Sequence, residues 1–384
     1  METEVRRALV STFLARLAAS AALRIVYPFL PAIARGLQVS PVDVASVVAL
    51  RNLAALSAPA AAAVAERRGR RTVMLFGGGA VTAGCFLTAI SDRFVLAAIG
   101  ILVVGFARPV FDVATQAWFA DRVPYAQRGR VFGLGELNWS FSLLVVPIGG
   151  YLILVAGWRA AFILVGILCA AGTAAVFRSI APDHPGRHVK QKLGLDGSLL
   201  RVLSTVALLN LAAEIIFVVY GQWLETSFGL SVAGIGTFTI VILVSEFVGA
   251  GLVALVSDSF GLKKMWMLSL AASAVAYLML SLVGSSLIAA LSVVVVWIAT
   301  YEMSYVASVP FISEMSPARE RVLSLVIVSV GVGRAIGASI AQPAYASGGI
   351  ALSGVLAALA VVIGMALAAS VPEHAVEAPG AAPS

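Results

Sequence analysis

Ten ionisable side chains sit inside apolar stretches of this 384-residue chain: Arg16, Arg24, Arg51, Arg108, Asp112, Glu136, Glu214, Glu246, Glu302 and Arg334. A charge among apolar neighbours is costly to hold, so it pairs, faces a water-filled cavity, or does chemistry there. Two kinds of chemistry suit these residue types. An arginine keeps its charge and grips carboxylate or phosphate groups with a planar fork of donors. A carboxylate can take up a proton and release it again as its surroundings change. Arg108 and Asp112 stand one helical turn apart and read as an internal pair. Arg16 reads as an anchor whose head reaches back toward the interface, Glu136 as a partner for Arg130, and Glu302, flanked by Tyr301 and Tyr305, as a partner for Arg334. Glu214 and Glu246 have no opposite charge nearby in sequence and are the candidate proton carriers. Arg24 is the candidate contact for a charged solute, with Tyr27, Asn52, Trp139, Tyr301, Glu302 and Arg334 as further substrate-binding groups.

The same inventory excludes much. His184, His188 and His374 all lie in polar segments, and no nucleophile stands near a base in any spacing that would activate it. No phosphate-cradling glycine loop or metal-binding helix motif occurs in a usable context. The chain is therefore expected not to be an enzyme, to use no cofactor or metal, and to draw on an ion gradient, not on nucleotide hydrolysis. Cys85 and Cys169 sit in apolar runs without ligand spacing and read as small core residues.

The elements that position these groups follow from composition. The chain is 60% hydrophobic and 12% charged, against about 25% charged for a soluble domain. Its main solvent is lipid. Apolar stretches of about 20 residues predict twelve spanning helices, beginning near Ala8, Pro41, Thr72, Phe94, Arg130, Gly157, Leu199, Ser231, Met265, Ser286, Val322 and Ile350. The first is expected to be retained as a span, since Arg16 and Arg24 interrupt what would be a signal core. The polar segment 179–198 divides the chain into six-helix halves, 1–178 and 199–371, and the Pro/Ala-rich tail 372–384 reads as disordered.

The net charge of +7 does not point to nucleic acid, because the basic residues are scattered one loop at a time. With a cytoplasmic N-terminus, 18 of the 26 Lys and Arg residues fall in cytoplasmic connections and 3 outside. That asymmetry places both termini in the cytoplasm of a multi-pass plasma (inner) membrane protein.

A repeat is written into those loops. Glu66-x-x-Gly69-x-Arg71, which also contains Arg70, is matched by Asp258-x-x-Gly261-x-Lys263 at an offset of 192; Arg128-Gly-Arg130 is matched by Arg319-Glu-Arg321 at 191. Agreement of the two offsets argues for duplicated halves, an architecture of secondary transporters. The acid–x–x–Gly–x–basic loops, with Pro147-x-Gly-Gly150 and the stretch Gly157 to Phe162, resemble the major facilitator superfamily over nearly the whole chain, closest to small bacterial efflux-type members. Ser142 and Val146 depart from the glycines of the antiporter motif, and Glu66 and Ala62 from the usual Asp and Gly.

That resemblance implies an all-α integral membrane protein with twelve transmembrane helices in two pseudo-symmetric halves. It implies a monomer in the lipid bilayer that moves a small-molecule substrate by alternating access around a midplane site. Proton-coupled efflux of a drug, sugar derivative or organic anion is the expected function. A passive facilitator with structural in-span charges is the alternative. Glu66, Gly69, Arg70, Arg71, Asp258, Gly261 and Lys263 are the expected gating loops. Five in-span arginines lean the site toward an anionic or polyhydroxylated solute, while the glutamates suit a cation equally.

Overall fold

The computed structural model describes residues 3–123, 131, 134–182, 196–315 and 319–371, and these are helical with no strand among them. The first half contains α1 (Thr3–Arg24), α2 (Val26–Leu37), α3 (Pro41–Asn52), α4 (Ala58–Arg68), α5 (Arg70–Ile90), α6 (Phe94–Arg122), the short α7 (Asn138–Phe141), α8 (Val145–Ala156) and α9 (Trp158–Ser179). The second contains α10 (Gly197–Phe228), α11 (Val232–Phe260), α12 (Leu262–Leu280), α13 (Leu287–Glu314) and α14 (Arg319–Ala369). The expected disorder of 372–384 falls outside the described residues, as does most of the polar segment 179–198.

Eight described segments are long and apolar enough to cross a membrane, or nine if Glu4–Arg24 and Val26–Leu37, bent by 52°, form one span. Breaks explain most of the difference from the expected twelve, and Leu262–Leu280 is a further helix outside the eight. A 3-10 turn, Leu53–Ser57, separates α3 from α4. The run Val322–Ala369 counts once, yet Gly348 and Gly349 leave helical geometry inside it and divide it in two. Local chemistry sets some boundaries plainly. Ser40 and Asp43 form a reciprocal capping box, with Pro41 at the first helical position, and so start α3.

The chain divides into two compact units. Unit 1 is Met1–His188 with Leu224–Leu243, and unit 2 is Val189–Trp223 with Val244–Ser384. In unit 1, α5 meets α6 so closely that a Cβ on Gly84 would lie 2.8 Å from the Gly100 carbonyl oxygen. Met74, Phe111, Trp118 and Val176 pack a core near one end of that contact. The pair α5 and α9 is tied at both ends: Arg71 Nη2 donates to the Phe177 carbonyl at 2.9 Å, and Arg159 Nη2 to the Ser91 carbonyl at 2.9 Å. Between these ties Cys85 and Cys169 are buried as free thiols, which fits packing residues. The Leu224–Leu243 segment joins this unit through an exposed Arg35–Glu225 ion pair at 2.9 Å. Gly236 adds a close approach, since its Cβ would stand 3.2 Å from the Val146 carbonyl oxygen.

Unit 2 uses the same device of small residues at crossings. A Cβ on Gly333 would lie 2.0 Å from the Ala207 carbonyl oxygen, and one on Gly337 2.4 Å from that of Leu211, so α14 rides directly on the backbone of α10. Likewise α11 contacts α13, where a Gly249 Cβ would stand 2.4 Å from the Ala299 oxygen.

Candidate functional site

Unit 1 gathers its in-span charges from α1, α6 and the stretch around α7. Arg16 Nε donates to Asp112 Oδ1 at 2.9 Å, Nη2 to Glu136 Oε1 at 2.8 Å, and Nη1 to the Gly135 carbonyl at 3.2 Å. Arg108 Nη1 lies 3.3 Å from Asp112 Oδ2, while its Nη2 donates to Ser20 Oγ at 3.0 Å; Ser20 in turn donates to Asn138 Oδ1 at 2.9 Å. The Arg108–Asp112 pair is therefore present, but as part of a larger network. Arg16 does not reach for the interface as expected: it is 5% exposed, because three fixed acceptors meet its donors in place. Glu136 bonds Arg16, whereas its expected partner Arg130 lies outside the described residues. A cleft of about 10 Å³, room for roughly one water, lies beside Arg16 between Thr12, Thr115 and Gln116.

Arg24, 6% exposed, donates from Nη1 to the Trp139 carbonyl at 3.2 Å and lies 4.7 Å above the indole of the same residue. The Arg108 guanidinium stands 5.2 Å from that ring. One indole thus serves two arginines. Arg51 donates to the Leu23 carbonyl at 3.1 Å and stacks 5.2 Å from the ring of Tyr27, which is buried. Gly105 makes room for it, since a Cβ there would lie 2.1 Å from Arg51 Cγ. Asn52 ends α3 and is half-buried. Of the expected substrate groups, Arg24, Tyr27, Asn52 and Trp139 belong to unit 1.

Unit 2 holds the others. Glu214 on α10 is fully buried, and its Oε2 lies 3.9 Å from Arg334 Nε. Arg334 also donates to Asn210 Oδ1 and to the Tyr301 hydroxyl, each at 3.4 Å, and Tyr301 donates to Asn210 Oδ1 at 3.0 Å. Sequence suggested no partner for Glu214; the structure sets it beside Arg334. The cause is the α10–α14 contact at Gly333 and Gly337, which fixes the register of those two helices. Glu302 is half-buried on the face of α13 nearest Gly249, and Glu246 on α11 is 4% exposed. Phe217, Tyr277 and Trp297 wall the cluster, with Phe217 5.1 Å from Trp297 and 6.2 Å from Tyr301. Trp223, near the end of α10, is 1% exposed.

The loop residues are locally similar in the two units. Gly69 has φ 84 and ψ 144, Gly261 φ 79 and ψ 141, a region that favours glycine. Arg70 pairs with Asp121 and donates to the Ala117 carbonyl at the end of α6. Arg71 bonds Phe177 near the end of α9, and Lys263 Nζ donates at 2.6 Å to the carbonyl of Val371, just past α14. Each is a cation set against the electronegative end of the last helix of its own half. The side chains of Glu66 and Asp258 lie outside the described residues.

Sequence reasoning missed Ser20 and Asp121. Ser20 is a small polar residue in an apolar run and gives no signal; Asp121, thirteen positions beyond Arg108 on the same helix, was visible as an acid at a span end.

The model of one protein family, the Major Facilitator Superfamily, matches residues 12–209. A Bacillus subtilis (strain 168) protein described as an uncharacterized MFS-type transporter, YwfA, is 30% identical over 108 residues. That match spans 28% of this chain and 26% of the relative's length. Solved structures agree over almost the whole chain. A bacterial homolog of the human lysosomal transporter Spinster, inward-facing and occupied, superposes with a TM-score of 0.79 at 14% identity, covering 99% of this chain and 100% of that one. A D-xylose–proton symporter superposes with a TM-score of 0.79 at 13% identity, covering 97% and 99%.

Proposed function

We propose that this chain, which belongs to the Major Facilitator Superfamily, is a proton-coupled secondary transporter that expels a small organic solute across the plasma (inner) membrane by alternating access. It acts as a monomer with both termini in the cytoplasm. One observation carries the reading. Glu214 is fully buried on an apolar helix, 3.9 Å from Arg334 and beside the Asn210–Tyr301 hydrogen bond. A carboxylate at the limit of ion-pair distance can exchange its counter-charge: when it takes a proton, Arg334 is released to Asn210, Tyr301 or solute. When the proton leaves, the pair closes again. Glu246, equally withdrawn from solvent on α11, is the second carrier. Such intramembrane carboxylates make proton relays. A shared fold with a D-xylose–proton symporter accords with proton coupling.

The test is reconstitution in proteoliposomes carrying a pH-sensitive dye inside. Addition of a transported solute should move protons, and an imposed pH gradient should drive the solute uphill in the opposite direction. Solute flux without proton movement, unchanged by the gradient, would make the protein a passive facilitator and its in-span charges structural.

A further inference from the structure

We infer that an anionic phospholipid binds in the groove that α1 and α9 form on the side away from their core, its phosphate held by Arg7 and Arg178 and an acyl chain laid along the apolar stripes that these arginines end. The inference concerns the lipid around the protein and does not depend on what the protein transports.

The groove follows from how the two helices meet. Ser179 at the end of α9 donates to Ser11 Oγ of α1 at 2.6 Å. Farther along, a Cβ on Gly172 would stand 2.6 Å from Ala15 Cα, so the antiparallel pair is in close contact from that end inward. One side of the contact faces the core, where Val5, Ala8 and Ala15 of α1 pack in one cluster with Val176 and Ile180. The helical period turns other residues away from it. On α1 these are Arg7, Val10 and Leu14, all exposed. On α9 they are Ile167, Ala171, Ala174 and Arg178, also exposed. Each stripe is thus apolar up to its last residue, and in both that residue is an arginine at the same end. From Ile167 to Arg178 the stripe runs about 16 Å at 1.5 Å per residue, close to one leaflet's share of a hydrocarbon core about 30 Å thick. The small side chains of Ala171 and Ala174 leave room for a chain to lie against the helix.

Charge selects the lipid. Among the described residues, Arg7 and Arg178 take part in no hydrogen bond, ion pair or ring contact. Opposite charge is scarce around them. Beyond the Arg16 network, the acids of unit 1 whose side chains are described at this end are Asp121, paired with Arg70, and Glu4, which is exposed and pairs with neither arginine. An arginine at the end of an apolar stripe lays its stem on hydrocarbon and sends its head to the interface. There the guanidinium grips two phosphate oxygens as a fork. A zwitterionic headgroup brings its own cation to the same place and is attracted less; an anionic one keeps the full attraction. A free phosphate would satisfy the forks and leave the apolar stripes unused.

The experiment uses the full-length protein in detergent, with phosphatidylglycerol, phosphatidylcholine or glycerol 1-phosphate added, and counts the molecules retained by native mass spectrometry. One phosphatidylglycerol should be held roughly tenfold more tightly than phosphatidylcholine, as two basic contacts would give, and the preference should shrink as salt is raised. The double variant Arg7→Gln, Arg178→Gln should bring the two lipids close to parity. Arg67→Gln, Arg68→Gln removes as much charge from the end of α4, which shares the core at this end through Ala65 but packs on α5 and α6; it should leave the preference in place. Ala171→Phe, Ala174→Phe should fill the groove and weaken retention of both lipids. Equal retention of the two lipids by the unmodified chain would overturn the inference. So would a preference that survives Arg7→Gln, Arg178→Gln, or one that falls as far in Arg67→Gln, Arg68→Gln, since the attraction would then belong to the surface as a whole. Glycerol 1-phosphate held as tightly as phosphatidylglycerol would replace the lipid with a free phosphate and sink the idea equally. Should Arg7→Gln, Arg178→Gln fail to fold, Arg178→Lys, which keeps the charge and loses the fork, and the two alanine substitutions decide: each must lower retention of phosphatidylglycerol, and no change in either one refutes the site.

Discussion

Gly69 and Gly261, 192 positions apart, hold the same left-handed backbone conformation, to within 5° in φ and 3° in ψ. Each joins two helices at a loop carrying a basic residue two positions on. A residue with a Cβ is strained there by about 1–3 kcal/mol. Gly69→Ala and Gly261→Ala should therefore lower the thermal stability by similar amounts in detergent. A loss confined to one of them would break the equivalence of the two loops.

Removing Arg16 strips a counter-charge from two carboxylates at once. Breaking a buried ion pair from one side costs about 3–5 kcal/mol, and Asp112, whose side chain is 15% exposed, should account for most of it. The Glu136 side chain is 59% exposed, so Glu136→Gln should cost below about 1 kcal/mol. Thermal unfolding of Arg16→Leu beside Glu136→Gln tests this ordering. Equal losses would mean that the network is not organised around Asp112.

Gly337 admits the backbone of α10. A side chain in its place would press on the Leu211 oxygen and on Glu214 Cβ, 2.4 and 2.9 Å from the added carbon. Gly337→Val should destabilise by at least the 1–3 kcal/mol or so typical of overpacking. It should also abolish transport by shifting Arg334 away from Glu214. Normal transport by this variant would show that their register is unimportant.

Glutamine at position 214 keeps the shape of the side chain and fixes it uncharged. Glu214→Gln should still exchange labelled solute across a membrane at equal concentrations, yet fail to accumulate it against a gradient. Retained accumulation would move the coupling to Glu246 or elsewhere.

Much of this could be read before any coordinates. Lipid forces apolar runs of span length, so the helices were visible in composition; the paired offsets of Glu66-x-x-Gly69-x-Arg71 and Asp258-x-x-Gly261-x-Lys263 pointed to two loops whose glycines share one backbone conformation. Arg108 and Asp112 pair because four residues make one turn, which is local information. Arg16 finds its acids 96 and 120 positions away, and Arg334 finds Glu214 at 120. Those partnerships depend on which glycines let which helices touch, and no spacing along one chain records that. The break at Gly348–Gly349 falls where the sequence separates the spans expected near Val322 and Ile350. That at Leu53–Ser57 was hidden for a related reason: hydropathy runs through it unchanged, while the backbone does not.

Arg71 at the start of α5 holds the carbonyl of Phe177 near the end of α9, and Arg159 at the start of α9 holds that of Ser91 just beyond α5. Two clamps at opposite ends forbid sliding, because a slip of one helical turn, about 5.4 Å, would open both together. The pair is a stator. Flexing inside unit 1 is then expected at helices that are already broken, among them α1 and α2 at Ile25, bent by 52°, and α3 and α4 at Leu53–Ser57. Arg24 and Arg51 sit at those two joints, so any flexing there carries the positive charges with it.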